Sequence, residues 1–367
     1  MYADEFESGP TRLVRSPGRI NIIGDHVDYE GGLVLPMAID LATYLAFTPR
    51  ADQRIRMRSE GQSPADFLLG HLPEPKGRWS DYVAGVAQFV GDGRVGFDGA
   101  IASDLPARAG LSSSAALTMA AAAALCSAGS RDWSPREAAE AARRAENEYV
   151  GVQTGPMDQL TVGLGAEGHA LLIDCESLDV EPVSVPDEAI FVIIDTQTPR
   201  SLVGSEYDDR RLQCRTASRL LNVELLSHAS LTQIESHVLE GHPVERRRAR
   251  HVISETARVA EAVEALHQRE LTRVGELMVS SHESLRDDFE VSSRELDAAV
   301  ESAIESPSCH GARMTGAGFG GSAIALVDRD ATKEFMDSVR DSFYNRTRRH
   351  AVLYPVLPSQ GLQISDT

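Results

Sequence analysis

Lysine is nearly absent from this sequence: Lys76 and Lys333 are the only two among 36 basic residues in a chain of 367. The pattern Gly-x-x-x-x-Gly-Lys-Ser/Thr occurs nowhere, so a Walker phosphate loop is excluded. Cysteine is scarce as well. Cys126, Cys175, Cys214 and Cys309 are scattered without a Cys-x-x-Cys pair, which indicates neither a zinc site nor a disulfide framework, and reduced thiols are expected. No run of about 18 apolar residues appears, and the start, with Asp4, Glu5 and Glu7, has neither the basic region nor the apolar core of a signal peptide. A cytoplasmic location is the expectation. Positive charge is in deficit, and the formal net charge of −19 argues against nucleic acid or an anionic membrane as partner. The acidic excess and the preference for arginine suit either a salt-rich cytoplasm or a GC-rich genome. Internal repeats, low-complexity linkers and heptad runs are also missing.

What is present is ordinary for a soluble globular protein: 42% apolar and 25% charged residues, over a length that suggests two domains. Short β-like runs such as Leu33 to Met37 and Tyr44 to Phe47 mix with a helical stretch at Trp79 to Val90. A helical block follows, with Leu111 to Ser127 nearly all alanine and leucine, and Pro135 to Tyr149 capped by Ser134. After strands at Ala170 to Asp174 and Ile190 to Asp195 come long charged helices around Glu206 to Leu221, Glu245 to Gln268 and Leu271 to His282. A glycine-rich turn at 316–321 then leads into a strand at Ser322 to Val327. The expected boundary lies near residue 190, giving an N-terminal domain over 1–190 and a C-terminal domain over 191–367. Whether the last strand returns to the first domain is left open.

Three segments carry chemistry. Residues 17–37, Pro-Gly-Arg-Ile-Asn-Ile-Ile-Gly-Asp-His-Val-Asp-Tyr-Glu-Gly-Gly-Leu-Val-Leu-Pro-Met, run from an apolar strand into a loop that gathers Arg19, Asp25, His26 and Asp28. Carboxylates accept several hydroxyl protons, a histidine donates or accepts, and an arginine does not titrate, so this loop suits a small polyhydroxylated molecule. A solvated turn is the plainer reading. The second segment, Leu105-Pro-Ala-Arg-Ala-Gly-Leu-Ser-Ser-Ser-Ala-Ala-Leu, places backbone N–H groups and three serine hydroxyls at a helix N-terminus, where an anion is favoured. A phosphate cradle and a plain N-capped helix both fit that spacing. The third, Glu146-Asn-Glu-Tyr-Val-Gly-Val-Gln-Thr-Gly-Pro-Met-Asp-Gln, takes a charged helix through a Gly-Pro turn to Asp158, which by itself reads as a cap or a surface group.

Together these segments resemble the galactokinases, members of the GHMP group of small-molecule kinases. The family's first signature usually reads Gly-Arg-Val-Asn-Leu-Ile-Gly-Glu-His-Thr-Asp-Tyr-Asn-Gly-Gly, and this chain departs from it at Asp25, where the family has Glu, and at Val27, where it has Thr. Gly-Leu-Ser-Ser-Ser-Ala resembles the ATP-phosphate motif, which implies that Gly110, Ser112, Ser113 and Ser114 hold the nucleotide. Arg108 stands where the family usually has glycine, and it is expected to point to solvent. Gly-Pro-Met-Asp-Gln resembles the segment whose aspartate, here Asp158, faces the attacking sugar hydroxyl. By the same resemblance Glu146 and Ser114 hold Mg2+, an ion that prefers oxygen ligands. Trp79 is the candidate to stack on adenine, with a core aromatic as its other reading. Tyr207, in Ser205-Glu-Tyr-Asp-Asp-Arg-Arg, is expected to reach the sugar. His282 to Asp297 is read as structural, and Met314-Thr-Gly-Ala-Gly-Phe-Gly-Gly resembles the third GHMP motif.

The resemblance implies an α+β, two-domain GHMP kinase fold with the active site in the cleft between the domains. The expected activity is transfer of the γ-phosphoryl group of ATP to the anomeric hydroxyl of D-galactose. Asp158 would take the hydroxyl proton and Arg19 would stabilise developing charge, while Asp25, His26, Asp28 and Tyr207 hold the ring hydroxyls. The shorter Asp25 leaves open a sugar with a different C6, such as an amino, deoxy or pentose sugar. A galactose- and ATP-sensing regulator is a second class of reading. Such regulators lose a Ser-Ala pair that is intact here as Ser114-Ala115. A mevalonate or homoserine kinase lacks the His-x-Asp-Tyr segment. A small-molecule sugar is the expected partner, and the chain is expected to be a monomer or weak homodimer.

Overall fold

The computed structural model describes residues 1–90, 95–106, 109–198, 203–235 and 237–367. Arg108, expected to point to solvent, lies outside the described residues. The first half carries α1 (Tyr2–Phe6), β1 (Arg12–Ile23), β2 (Leu33–Pro49), β3 (Arg54–Ser59), β4 (Ala65–Leu68), α2 (Trp79–Val90), β5 (Phe97–Ser103), α3 (Ser113–Ala128), α4 (Pro135–Arg144), α5 (Met157–Leu164), β6 (His169–Asp174) and β7 (Val180–Ser184). The second carries β8 (Ala189–Asp195), α6 (Val203–Leu221), α7 (Leu231–Glu235), α8 (Pro243–His267), α9 (Leu271–Asp287), α10 (Arg294–Ile304), β9 (Cys309–Thr315), β10 (Ser322–Asp328), α11 (Thr332–Thr347), β11 (Val352–Val356) and β12 (Gln363–Asp366). Among the described residues, no helix is long and apolar enough to cross a membrane.

The strands form two sheets, mostly antiparallel, with helices packed against them, an α+β arrangement. In the first, the order is β12-β1-β2-β5-β3-β4, with β6 and β7 branching from β2; in the second it is β11-β8-β10-β9. The last strand thus lies in the first sheet, where Gln363–Asp366 pairs antiparallel with Arg12–Arg15. β2 is one strand of 17 residues where the sequence suggested two short runs. Exposed Asp40 breaks the apolar pattern where the pairing with β1 shifts register, and the strand continues because Ala42 and Ala38 on either side stay opposite Pro17 and Arg19.

Two register shifts interrupt the β1–β2 ladder, between Pro17 and Arg19 and between Asn21 and Ile23. Irregularities of this kind re-aim a side chain, and here they flank Arg19. Beyond them β1 meets the second sheet: Thr315 Oγ1 of β9 accepts from the Asn21 N–H at 3.1 Å and donates to the Asn21 carbonyl at 3.2 Å. An apolar layer is shared by both sheets. It joins Ile20, Ile22 and Leu35 to Phe191, Ile193, Ile324 and Leu326, with Val259 of α8 and Val274 and Met278 of α9 between them.

The alanine-rich α3 is buried along most of its length, as a helix that is apolar all round must be. The Ser134 hydroxyl accepts from the Glu137 N–H while the Glu137 carboxylate accepts from the Ser134 N–H, so α4 starts on a capping box with Pro135 in its first turn. The expected single helix to Tyr149 changes pitch at its end. Ala145–Val150 forms a π-helical turn, closed by Gly151 at φ 86°, and such turns commonly mark functional sites.

α9 lies against β9 with backbone touching backbone. A Cβ placed on Gly275 would sit 1.8 Å from the His310 carbonyl oxygen and 2.7 Å from the Gly311 nitrogen. Alanine is the better helix former by about 1 kcal/mol, but overpacking of this kind costs about 1–3 kcal/mol or more. Gly275→Ala is therefore expected to lower the melting temperature in a thermal scan, and an unchanged or higher value would show that α9 does not rest on β9 in this way.

Candidate active site

The chain leaves β1 through a sharp turn. His26 adopts a left-handed conformation at φ 64°, and the 3-10 turn Asp28–Glu30 follows, ended by Gly31 at φ 71°. This geometry brings Asp25, His26 and Asp28 to one wall of a cavity of about 340 Å³. Arg19, the Gly110–Ser114 segment, Asp158 at the start of α5, Tyr207 of α6 and Gly316 of the glycine turn complete the surround. The three separated segments and the glycine turn thus converge on one space.

Arg19 and Asp158 form its centre. The Arg19 Nε donates to Asp158 Oδ1 at 2.8 Å, its Nη2 lies 2.8 Å from the same oxygen, and its Nη1 donates to the Gly110 carbonyl at 2.6 Å. The Ser112 hydroxyl donates to the other oxygen, Oδ2, at 2.5 Å. Ser112 precedes the first turn of α3 at φ 58°, and its side chain makes no cap to that helix. Its hydroxyl is thus used on Asp158, whereas the resemblance had placed it on phosphate. Ser113 is exposed and Ser114 half-buried, and both face the cavity rim at the helix N-terminus.

The carboxylates around this centre are short of positive charge. Burial and then the neighbouring charges of Asp158 and Asp25 push Asp28 up to about 7. Gly155 stands against it so closely that a Cβ there would lie 2.1 Å from Asp28 Oδ2. Burial and Asp158 push Glu146 up to about 8. Glu146 is not part of the cavity lining; it sits behind the start of α3, where Thr118 Oγ1 is 3.4 Å from its Oε1.

Burial, reinforced by nearby His251, drives His26 down to about 3, so its ring is neutral. Its Nε2 lies 3.1 Å from the Ala317 carbonyl and its Nδ1 3.1 Å from the Tyr29 hydroxyl. A neutral ring satisfies both by donating from Nε2 and accepting at Nδ1. In the unliganded protein both ring nitrogens thus have partners within the chain, although His26 borders the cavity. Trp79, the candidate to stack on adenine, is not part of this cavity's lining. It opens α2 away from the cavity, donating from Nε1 to the Ser63 carbonyl at 2.9 Å and packing on the edge of the core.

Comparison with known proteins fits this geometry. The galactokinase galactose-binding signature matches residues 1–49, the GHMP kinase N-terminal domain residues 81–166 and the GHMP kinase C-terminal domain residues 262–345. A galactokinase of Chloroflexus aurantiacus is 43% identical over 99% of this chain and 95% of its own length. The chain belongs to the galactokinase family. A galactokinase of Chloroflexus aggregans is 40% identical over 98% of this chain and 94% of its own length. The crystal structure of Lactococcus lactis galactokinase complexed with galactose superposes with a TM-score of 0.94, at 33% identity, covering 99% of this chain and 97% of that one. L. major mevalonate kinase, at 20% identity and a TM-score of 0.65 over 96% of this chain and 97% of that one, shares the fold. Membership of this family makes the chain a sugar kinase that uses ATP.

Several residues of this galactokinase site went unread in the sequence. Arg313 of β9, fully buried, pairs with Asp25 Oδ2 at 2.9 Å and stands 3.7 Å from Glu255 of α8. Phe289, inside the segment read as structural, packs at a tilt against the His26 and His251 rings, with centroids 4.8 and 4.6 Å away. For Arg313 a signal existed, an arginine between Ala312 and Met314 in a segment that forms a buried strand.

These buried groups predict the effect of pH on the unliganded protein. Above the ordinary histidine value of 6.5, His26 and His251 are neutral whether folded or unfolded. Up to about 7 for Asp28 and Glu30, and about 8 for Glu146, the folded chain still holds protons that the unfolded chain has released. Extra protons bound in the folded state mean that stability falls as pH rises through this window. Thermal scans between pH 6.5 and 8 are expected to show a falling melting temperature and a shallower fall in Asp28→Asn; a flat profile would contradict the assignment.

Proposed function

We propose that the chain transfers the γ-phosphoryl group of ATP to the anomeric hydroxyl of D-galactose, giving galactose 1-phosphate and ADP. One observation carries the reading: Asp158 stands between the wall formed by residues 25–28 and the N-terminus of α3, with both its oxygens fixed by Arg19 and Ser112. A carboxylate held between an acceptor alcohol and an anion site orients the alcohol and takes its proton as the phosphoryl group moves. Arg19 supplies positive charge where negative charge develops. Asp28 and Tyr207 hold ring hydroxyls, and Asp25 faces the side of the sugar that carries C6. The free N–H groups of α3 and the Ser113 and Ser114 hydroxyls receive the nucleotide phosphates.

The residues also fit magnesium. Among the described residues no three His, Cys, Asp or Glu side chains gather into a metal site of their own. Glu146, deficient in positive charge, and Ser114 would hold the ion together with phosphate oxygens, the oxygen-only set it prefers. When bound, the ion neutralises charge on the β and γ phosphates. With an excess of 19 negative charges, which disfavours self-association, we read the chain as a cytoplasmic monomer or weak homodimer.

The intact Ser114-Ala115 pair at the start of α3 favours an enzyme over a sugar sensor. Asp25, one methylene shorter than the family's glutamate, keeps amino, deoxy and pentose sugars in the panel to be tested. ADP release should be greatest with galactose, and NMR should find the phosphate on C1. Asp158→Asn is expected to bind galactose and ATP while kcat falls by about 100-fold or more. Near-normal kcat in that variant would remove Asp158 from the chemistry, and no ADP release with any sugar would favour the sensor.

A further inference from the structure

Behind the sugar wall lies a buried set of charges that the transfer reaction does not use. The Arg313 guanidinium is fully enclosed. Its Nη1 donates to the carbonyls of Asn21 at 3.1 Å and Ile22 at 3.3 Å, on β1. Its Nη2 stands 2.9 Å from Asp25 Oδ2 and 3.7 Å from Glu255 Oε1. Glu255 is itself pinned. Its Oε1 accepts from the Gly24 N–H at 2.9 Å and from the Ser281 hydroxyl, and its Oε2 accepts from Arg258 Nε at 2.8 Å. Burial alone pushes Glu255 upward, but the Arg258 and Arg313 guanidiniums hold it down at about 2. Two guanidiniums thus face two carboxylates, and an unpaired member would be an uncompensated buried charge.

We propose that Arg313 is a positioning residue that sets which sugar hydroxyl this enzyme demands, by fixing the place and charge of Asp25. The inference rests on the sugar-kinase reading above. Asp25 Oδ2 is taken up by Arg313 and by the Gly316 N–H at 3.3 Å, and the His251 Nε2 stands 3.0 Å from the Asp25 carbonyl. Burial drives the Asp25 carboxyl toward its protonated form, and the Arg313 charge is the leading opposing influence. Side chain and backbone are therefore both held from behind, and the carboxylate borders the cavity as the acceptor for substrate. Neither Arg313 nor Glu255 lines the cavity, so both act through what they hold, with Asp25 the group among these that borders it. An acceptor fixed in this way penalises a sugar that lacks the matching hydroxyl, because the buried oxygen is then left unpaired.

The test compares galactose with analogues that each lack one hydroxyl, using the wild type, Asp25→Asn, Arg313→Lys and the charge-balanced double variant Glu255→Gln/Arg313→Gln. A lysine cannot reach Asp25, Glu255 and two carbonyls at once. Arg313→Lys is expected to raise KM for galactose about tenfold, the loss of one charge-assisted hydrogen bond, with KM for ATP unchanged. Discrimination should disappear at the same hydroxyl in Arg313→Lys, in the double variant and in Asp25→Asn, and remain elsewhere. If Arg313→Lys does not fold, the double variant, with no net change in buried charge, decides alone. A wild-type discrimination profile in the folded variants, whatever their melting temperature, would make Arg313 purely structural and overturn the proposal. Calorimetric binding of the same sugars without ATP separates the two readings. Absence of ADP release in the wild type would remove the kinase reading alone, while binding that is lost at one hydroxyl in the variants would still uphold the role of Arg313. No galactose binding by the wild type would overturn both.

Discussion

The Arg19 guanidinium is where three parts of the chain are tied together. From β1 it reaches Asp158, 139 residues away, and the Gly110 carbonyl, 91 residues away. A buried guanidinium has five donors in a rigid plane and no way to lose its charge, so whatever surrounds it must supply acceptors in fixed directions. The irregular β1–β2 pairing turns Arg19 toward the cavity, and α3 and α5 begin where its donors point. The proposed base, the proposed phosphate site and the sugar wall are thereby held in one frame. Chemistry that depends on placement more than on reactive groups needs such a frame.

A second buried guanidinium, Arg313, works in the same way one layer deeper. It joins the second sheet to the carbonyls of Asn21 and Ile22 and to Asp25, so the sugar wall is braced from β9 and α8. The rest of the site is kept short of positive charge. Asp28 and Glu146 sit near or above neutrality because burial and other carboxylates oppose their ionisation. Such groups are ready to accept hydroxyl protons or a cation, in a protein whose overall field repels anions. Nucleotide phosphates must be met by local N–H groups and hydroxyls, since lysine is nearly missing.

Much of this was legible in the order of residues. The helices at Trp79–Val90 and Pro135, with its Ser134 cap, follow from apolar spacing and capping chemistry that act within a few residues. The three segments holding Arg19, Ser112 and Asp158 were recognisable as motifs, and ten of the twelve candidate residues line one cavity. Trp79 and Glu146 do not. The continuous β2 was obscured by exposed Asp40, because a local pattern cannot register pairing with a distant strand. The roles of individual atoms were less legible still. The Ser112 hydroxyl serves Asp158, and the His26 nitrogens serve Tyr29 and Ala317.

The sequence by itself determined the family, the class of reaction and the residue types that such a reaction needs, because those reside in short runs whose spacing is chemical. Only the tertiary structure decided which donor meets which acceptor. Asp25 and Arg313 are separated by hundreds of residues and lie 2.9 Å apart in the fold. A hydrogen bond or buried ion pair depends on tenths of an ångström, and that distance is set by how two sheets pack on a shared core, not by either segment alone.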